Sequence, residues 1–272
     1  MDIGNWQSAD VQANGLKIHY YRTGGRGPVV VLFHGITDNG LCWTPVARAL
    51  EAEYDVVMPD ARGHGLSDDG NDYAPESHAA DAAALIAALG LDRPVIGGHS
   101  MGGLTATLVA ARYPGAARGV ILEDPAWSRG ETAEMQQARP AFLAEWRQRL
   151  AKQQAQSPAE LLAQARRDNP TWPAAEWEPW VEAKHQVRLS VLDYIGGLRP
   201  NWQDLVADIA IPGLLITGDP EKGVIISPEW AAEAAAIWPD LEVVQIPQTG
   251  HSIRREGFDA YVKAIKTFLA KL

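Results

Sequence analysis

Cysteine is almost missing: Cys42 is the one thiol in 272 residues. An internal disulfide framework is therefore excluded, and the chain suits a reducing compartment. A lone cysteine of this kind reads as a small buried hydrophobe rather than a nucleophile. Long apolar runs are missing too, so no segment reaches the length of a membrane span. Residues 1–10 carry neither a basic stretch nor an apolar one, which predicts no secretory leader and a soluble, cytoplasmic protein. Positive charge is in deficit, with 24 Lys and Arg against 34 Asp and Glu. The net charge of −10 argues against nucleic acid or an anionic membrane as partner. No histidine and carboxylate cluster has metal-ligand spacing, and no glycine-rich loop resembles a phosphate cradle. No metal or other cofactor is expected.

What is present is a long alternation of strand and helix signals. Leu16–Arg22 reads as an early strand after the turn Asn14-Gly15. Val29–Phe33 is continuous and β-branched, as in a parallel strand covered on both faces. Trp43–Glu53 reads as a helix, Tyr54–Pro59 as a strand, and Glu76–Leu89 as an alanine-rich helix. Val95–Gly98 is a short buried strand that runs into a helix ending near Tyr113, and Gly119–Leu122 is a further strand. The alternation stops near Pro125 and resumes at Ile211. A helix over Pro228–Trp238, a strand over Leu241–Ile246 and a last helix follow. In that helix Phe258, Tyr261, Val262, Ile265, Phe268 and Leu269 form a core-packing stripe. The pattern predicts a mostly parallel, doubly wound sheet flanked by helices, with sites at the C-terminal strand ends. The helix-forming stretch between divides the chain into a core of 1–125 and 205–272 and an inserted helical cap of 126–204. Six of the ten tryptophans lie between Trp127 and Trp202. They either roof a pocket for an apolar or ring-containing substrate or staple the inserted helices to the sheet.

The chemistry gathers at Gly98-His99-Ser100-Met101-Gly102, a nucleophile-elbow pattern in which a sharp strand-to-helix turn exposes a serine hydroxyl. The glycines are needed because backbone crowds backbone there. A serine is a poor nucleophile near neutral pH, so it needs a base, and the base needs an anion to orient it. Of seven histidines, His251 is the candidate base: it follows the last strand, downstream of the serine. His34 and His64 sit in glycine-flanked loops and read as scaffolding. His19, His78 and His185 read as structural or surface groups, and His99 as pointing away from the serine.

With these residues in place the chain resembles an α/β-hydrolase fold protein over nearly its whole length. The resemblance rests on His34-Gly35, on Asp60 with Arg62-Gly63-His64-Gly65 and Ser67, on the elbow, and on Gly250-His251. It implies a nucleophilic Ser100, His251 as base, and backbone N–H groups of Ile36 and Met101 as an oxyanion hole. It also implies a cap after the sixth strand. The acid stays open, because the loop after Ile211–Thr217 is longer than the family's pattern. Asp124 is the first choice, Glu221 the alternative, and Asp219 and Glu123 follow.

The function expected is a cofactor-free serine hydrolase that cleaves a carboxylic ester or lactone of an apolar or aromatic small molecule through an acyl-enzyme. The alternatives are carbon–carbon hydrolysis of a ring-fission diketone by the same residues, and a non-catalytic ligand receptor on the same scaffold. Dehalogenase and epoxide hydrolase readings are disfavoured, since those branches put aspartate where this chain has Ser100.

Overall fold

A computed structural model describes residues 3–130 and 132–272. Eight strands form one sheet in the order β1-β2-β4-β3-β5-β6-β7-β8. They are β1 (Gln7–Ala13), β2 (Leu16–Arg22), β3 (Val29–Phe33), β4 (Asp55–Pro59), β5 (Val95–His99), β6 (Gly119–Glu123), β7 (Gly213–Thr217) and β8 (Leu241–Gln245). From β4 across to β8 every pairing is parallel, and β1 and β2 add an antiparallel edge. Strands β4 to β7 are buried at every residue, the exposure pattern of a sheet covered on both faces.

The covering helices are α1 (Thr44–Leu50), α2 (Pro75–Ala88), α3 (Met101–Arg112), α9 (Pro228–Ile237), the short α10 (Ile253–Glu256) and α11 (Phe258–Leu269). Between β6 and β7 lie α4 (Ala133–Ala155), α5 (Pro158–Asp168), α6 (Trp177–Gln186), α7 (Asp193–Gly196) and α8 (Trp202–Ala207). The stripe on α11 buries Tyr261, Ile265, Phe268 and Leu269 against one face of the sheet. Helix α3 packs against the other face through Met101, Leu104, Leu108 and Val109.

Two local readings are corrected. The stretch expected as one helix over Trp43–Glu53 is a 3₁₀ turn at Gly40–Trp43 followed by α1, with Pro45 in the first helical turn. Strand β1 carries no apolar alternation and was not expected. It forms because the Asn14-Gly15 turn, with φ of 49° and 78°, folds it back in register on β2.

The tryptophans divide between the two roles open to them. Trp127 and Trp202 are buried and stacked on each other at 5.0 Å, stapling α8 to the core beneath. Trp146, Trp172 and Trp180 line a cavity at the C-terminal ends of the strands. Among the described residues no helix is long and apolar enough to cross a membrane.

Candidate active site

Strand β5 ends at His99, and α3 begins at Met101, so Ser100 must reverse the chain within one residue. It does so with φ 52° and ψ −113°, a strained conformation for a residue with a Cβ. Two glycines permit the bend. A Cβ on Gly98 would lie 2.2 Å from the Gly102 carbonyl oxygen, and one on Gly102 would lie 2.1 Å from that of Phe33. The Ser100 N–H donates to the Glu123 carbonyl, and the Ser100 carbonyl accepts from Leu104 and Ala126. Met101 opens α3, at a first-turn position whose N–H has no intrahelical acceptor.

Ser100 and His251 line one cavity of about 230 Å³, together with Ile36 from the loop after β3. His251 follows β8, and its Nδ1 lies 2.6 Å from Asp124 Oδ2. That contact places the Nδ1 proton toward the carboxylate and leaves Nε2 free to take a proton from a hydroxyl. Asp124 is fully buried just beyond β6, with φ 38°. Its carboxylate also accepts the N–H groups of Ile225 at 2.9 Å and Ile226 at 2.9 Å. Four of the residues expected at the site from the sequence, Ile36, Ser100, Asp124 and His251, are thus brought to one end of the sheet, with Met101 beside Ser100.

The alternative acids stand elsewhere. Glu221 is exposed in the turn after β7, and Asp219 Oδ1 accepts the Glu221 N–H at 3.1 Å as the cap of that turn. Glu123 is buried and accepts the Arg254 N–H at 2.9 Å and its Nη1 at 3.2 Å.

Three other histidines support the site. His34 and His64 each point Nδ1 at a backbone carbonyl, 2.8 Å away in both. Each offers Nε2 as an acceptor, to Ala61 N–H at 3.0 Å and Thr37 N–H at 3.3 Å. Burial keeps both neutral, pulling His34 down to about 4 and His64 well below its usual range. His99 lines the cavity and donates from Nε2 to the His251 carbonyl at 2.9 Å, bracing the loop that carries the base.

The charge at this site has no complete local signature in the sequence. Asp38, one residue beyond Thr37, is buried and bound by Lys184 at 3.4 Å, Arg254 at 3.3 Å and Arg255 at 3.0 Å. Burial alone would raise the Asp38 carboxyl, but these three cations hold it well below the usual carboxylate range. Arg255 also pairs with the buried Glu176 at 2.9 Å, tying the segment before α6 to the loop of His251. Cavity-lining Arg149 on α4 pairs with exposed Glu145 at 2.9 Å and lies 5.6 Å from the centroid of the Trp146 ring. Adjacent basic residues after Gly250-His251 were the available signal, but their acidic partners are scattered along the chain. Cys42 is buried, and burial pushes its thiol up to about 12, so it offers no nucleophile.

An elbow serine, an imidazole and a buried carboxylate at the ends of three parallel strands define the α/β-hydrolase class. Residues 30–264 match the model of the alpha/beta hydrolase family, and the chain belongs to that family as a hydrolase. It is 31% identical to N-formylmaleamate deformylase of Pseudomonas putida, over 96% of this chain and 95% of that protein. To 2-(acetamidomethylene)succinate hydrolase of Mesorhizobium japonicum it is 27% identical, over 91% of this chain and 90% of the relative. The crystal structure of an E-2-(acetamidomethylene)succinate hydrolase superposes with a TM-score of 0.81 at 25% identity, covering 98% of this chain and all of that one.

Proposed function

We propose that this chain is a serine hydrolase that cleaves the C–N bond of a small N-acyl compound bearing a carboxylate. The observation that carries the reading is that Ser100, His251 and Arg149 line one cavity while His251 is bound to the buried Asp124. In this reading Ser100 Oγ attacks the acyl carbon as His251 Nε2 takes its proton, and Asp124 steadies the imidazolium. The oxyanion is held by the N–H groups of Ile36 and Met101. His251 then returns the proton to the departing nitrogen, and water releases the acyl group from Ser100. The helices of 126–204 act as a cap on a core of 1–125 and 205–272.

Three features move the reading away from an ester or lactone of an apolar molecule. The cavity, at about 230 Å³, falls below the roughly 300–1,000 Å³ of sites for drug-sized ligands. A small acid fits it better than a long acyl chain. Arg149, with a half-exposed side chain and an exposed, weakly held ion partner, can exchange Glu145 for a substrate carboxylate. The two relatives are named for N-formyl and acetamido compounds of dicarboxylic acids, and they favour a leaving group that needs protonation over a plain ester. Carbon–carbon cleavage of a ring-fission diketone makes the same demand on His251 and is the second reading.

The test is a panel of N-formyl and N-acetyl amides with and without a carboxylate, a ring-fission diketone and 4-nitrophenyl acetate. The carboxylate-bearing amide should turn over fastest, and Ser100→Ala should abolish it. Equal turnover by wild type and Ser100→Ala would end the proposal. Tight binding without turnover of any compound would point to a receptor instead.

A further inference from the structure

The oxyanion loop is not held by the core alone. Thr37, next to Ile36, has φ 64°, a conformation that a β-branched residue adopts only under constraint. His64 receives its N–H from one side. From the other side comes Lys184, a buried cation on the inserted helix α6. Lys184 Nζ donates to the Thr37 carbonyl at 2.7 Å and to Thr37 Oγ1 at 3.0 Å, and lies 3.4 Å from Asp38 Oδ1.

An ammonium has three protons, and here three acceptors face it. Lys184 lines the cavity, yet it has no proton left for a substrate carboxylate; Arg149 does. The same Nζ lies 4.8 Å from the centroid of Trp180, which also lines the cavity. One side chain therefore joins the inserted helices to the conformation of the residue that follows the oxyanion donor.

We propose that Lys184 is a positioning residue that holds Thr37 in its left-handed conformation and thereby aims the Ile36 N–H at the oxyanion. The inference rests on the acyl-transfer reading of Ser100 and Ile36. It makes the hole a joint product of core and inserted helices, so that loosening α6 weakens transition-state binding before substrate binding. The opposing reading is an ordinary staple, in which Lys184 only fastens α6 to the loop. Gln186 is such a staple: its Oε1 accepts from Asn39 Nδ2 at 2.9 Å and its Nε2 donates to Glu182 at 2.9 Å.

The experiment compares wild type with Lys184→Met, Lys184→Arg, Thr37→Val and Gln186→Met. Turnover is read with 4-nitrophenyl acetate. Affinity for trifluoroacetophenone, whose Ser100 hemiketal carries an oxyanion, is read by ¹⁹F NMR. Lys184→Met should lower kcat by about 10²-fold, the usual loss for one oxyanion donor. It should leave KM within threefold and weaken the ketone by a factor similar to the loss in kcat. Lys184→Arg should recover part of the loss, and Gln186→Met should lower the melting temperature with kcat unchanged. A folded Lys184→Met with wild-type kcat overturns the proposal, as does one with raised KM and normal kcat. Should Lys184→Met fail to fold, Thr37→Val decides: it should lower kcat several-fold at constant KM, and an unchanged kcat overturns the proposal. Ketone binding that survives Ser100→Ala, or is absent from wild type, overturns the acyl-transfer reading itself. Loss in Ser100→Ala with retention in Lys184→Met overturns only the role of Lys184.

Discussion

Glu123 and Asp124, adjacent in the chain, leave the end of β6 toward different partners. Glu123 lies 3.2 Å from the Arg254 guanidinium, and Asp124 2.6 Å from the His251 ring. The two carboxylates should therefore fail in different ways. Asp124→Asn should lower kcat by about 10⁴-fold, as loss of the triad acid does, with KM nearly constant. Glu123→Leu leaves a buried guanidinium short of a partner, which costs about 3–5 kcal/mol. Thermal denaturation should register it as a melting temperature lower by on the order of 10 °C. Glu221→Gln and Asp219→Asn should change kcat less than twofold. A loss of several orders of magnitude in either would move the acid to the loop after β7.

Arg149 should act on affinity. Its side chain lines the cavity from α4 and is half exposed. A hydrogen bond to a charged group contributes about 1.5–3 kcal/mol. Arg149→Met should thus raise KM for a carboxylate-bearing amide by about 10- to 100-fold and leave KM for its methyl ester within twofold. Equal effects on acid and ester would remove the carboxylate from the proposed substrate.

Which parts of this site the residues declared in advance follows from the range of each constraint. The elbow is a local demand, since no side chain fits at Gly98 or Gly102, and so it reads directly from five consecutive residues. The base follows from chain order. The acid stayed a choice with Asp124 first, because successive residues at a strand end face opposite ways, and counting along the loop after β7 cannot tell where its turn sits. Least legible was the network of Asp38, Glu176, Lys184, Arg254 and Arg255. Its members come from four separate segments and share no spacing. The same long-range pairing turned a cavity expected to be apolar into one with cations in its wall.

Gly102 sets how closely α3 approaches the loop after β3. The chain passes so near that an added Cβ would lie 2.1 Å from the Phe33 oxygen and 2.7 Å from that of His34. Backbone cannot yield as a flexible side chain does. Gly102→Ala should push apart Met101 and the Ile36 loop, lowering kcat by at least 10²-fold and destabilising the fold by about 1–3 kcal/mol. Gly90→Ala is the control, because nothing lies within 4 Å of its added Cβ. There only the φ of 61° opposes the change, so stability should drop slightly and kcat should hold.

Acid should loosen the fold through its buried histidines, and His78 offers the cleanest measurement. It lies on α2, buried between Tyr73 and Tyr194, with ring centroids at 6.3 Å and 5.4 Å. Its Nε2 has no hydrogen-bond partner among the described residues. Burial, then Arg62 and His34, pull it down to about 3, with Asp72 pulling weakly the other way. An unfolded chain takes up a proton at His78 below pH 6.5, while the folded chain refuses it until about pH 3. The stability contributed by the neutral His78 is therefore complete above pH 6.5 and falls as the pH drops through that window. At pH 4.5 the cost from this residue amounts to about 2–3 kcal/mol. His34 adds to the loss, being held at about 4, whereas Asp60, raised to about 6 by burial, opposes it below that pH. His78→Phe keeps the ring and removes the proton site. The fall in melting temperature between pH 7 and pH 4.5 should accordingly shrink by several degrees in this variant. An identical fall in wild type and variant would mean that His78 is protonated in the fold, and hence that water reaches α2 at this point.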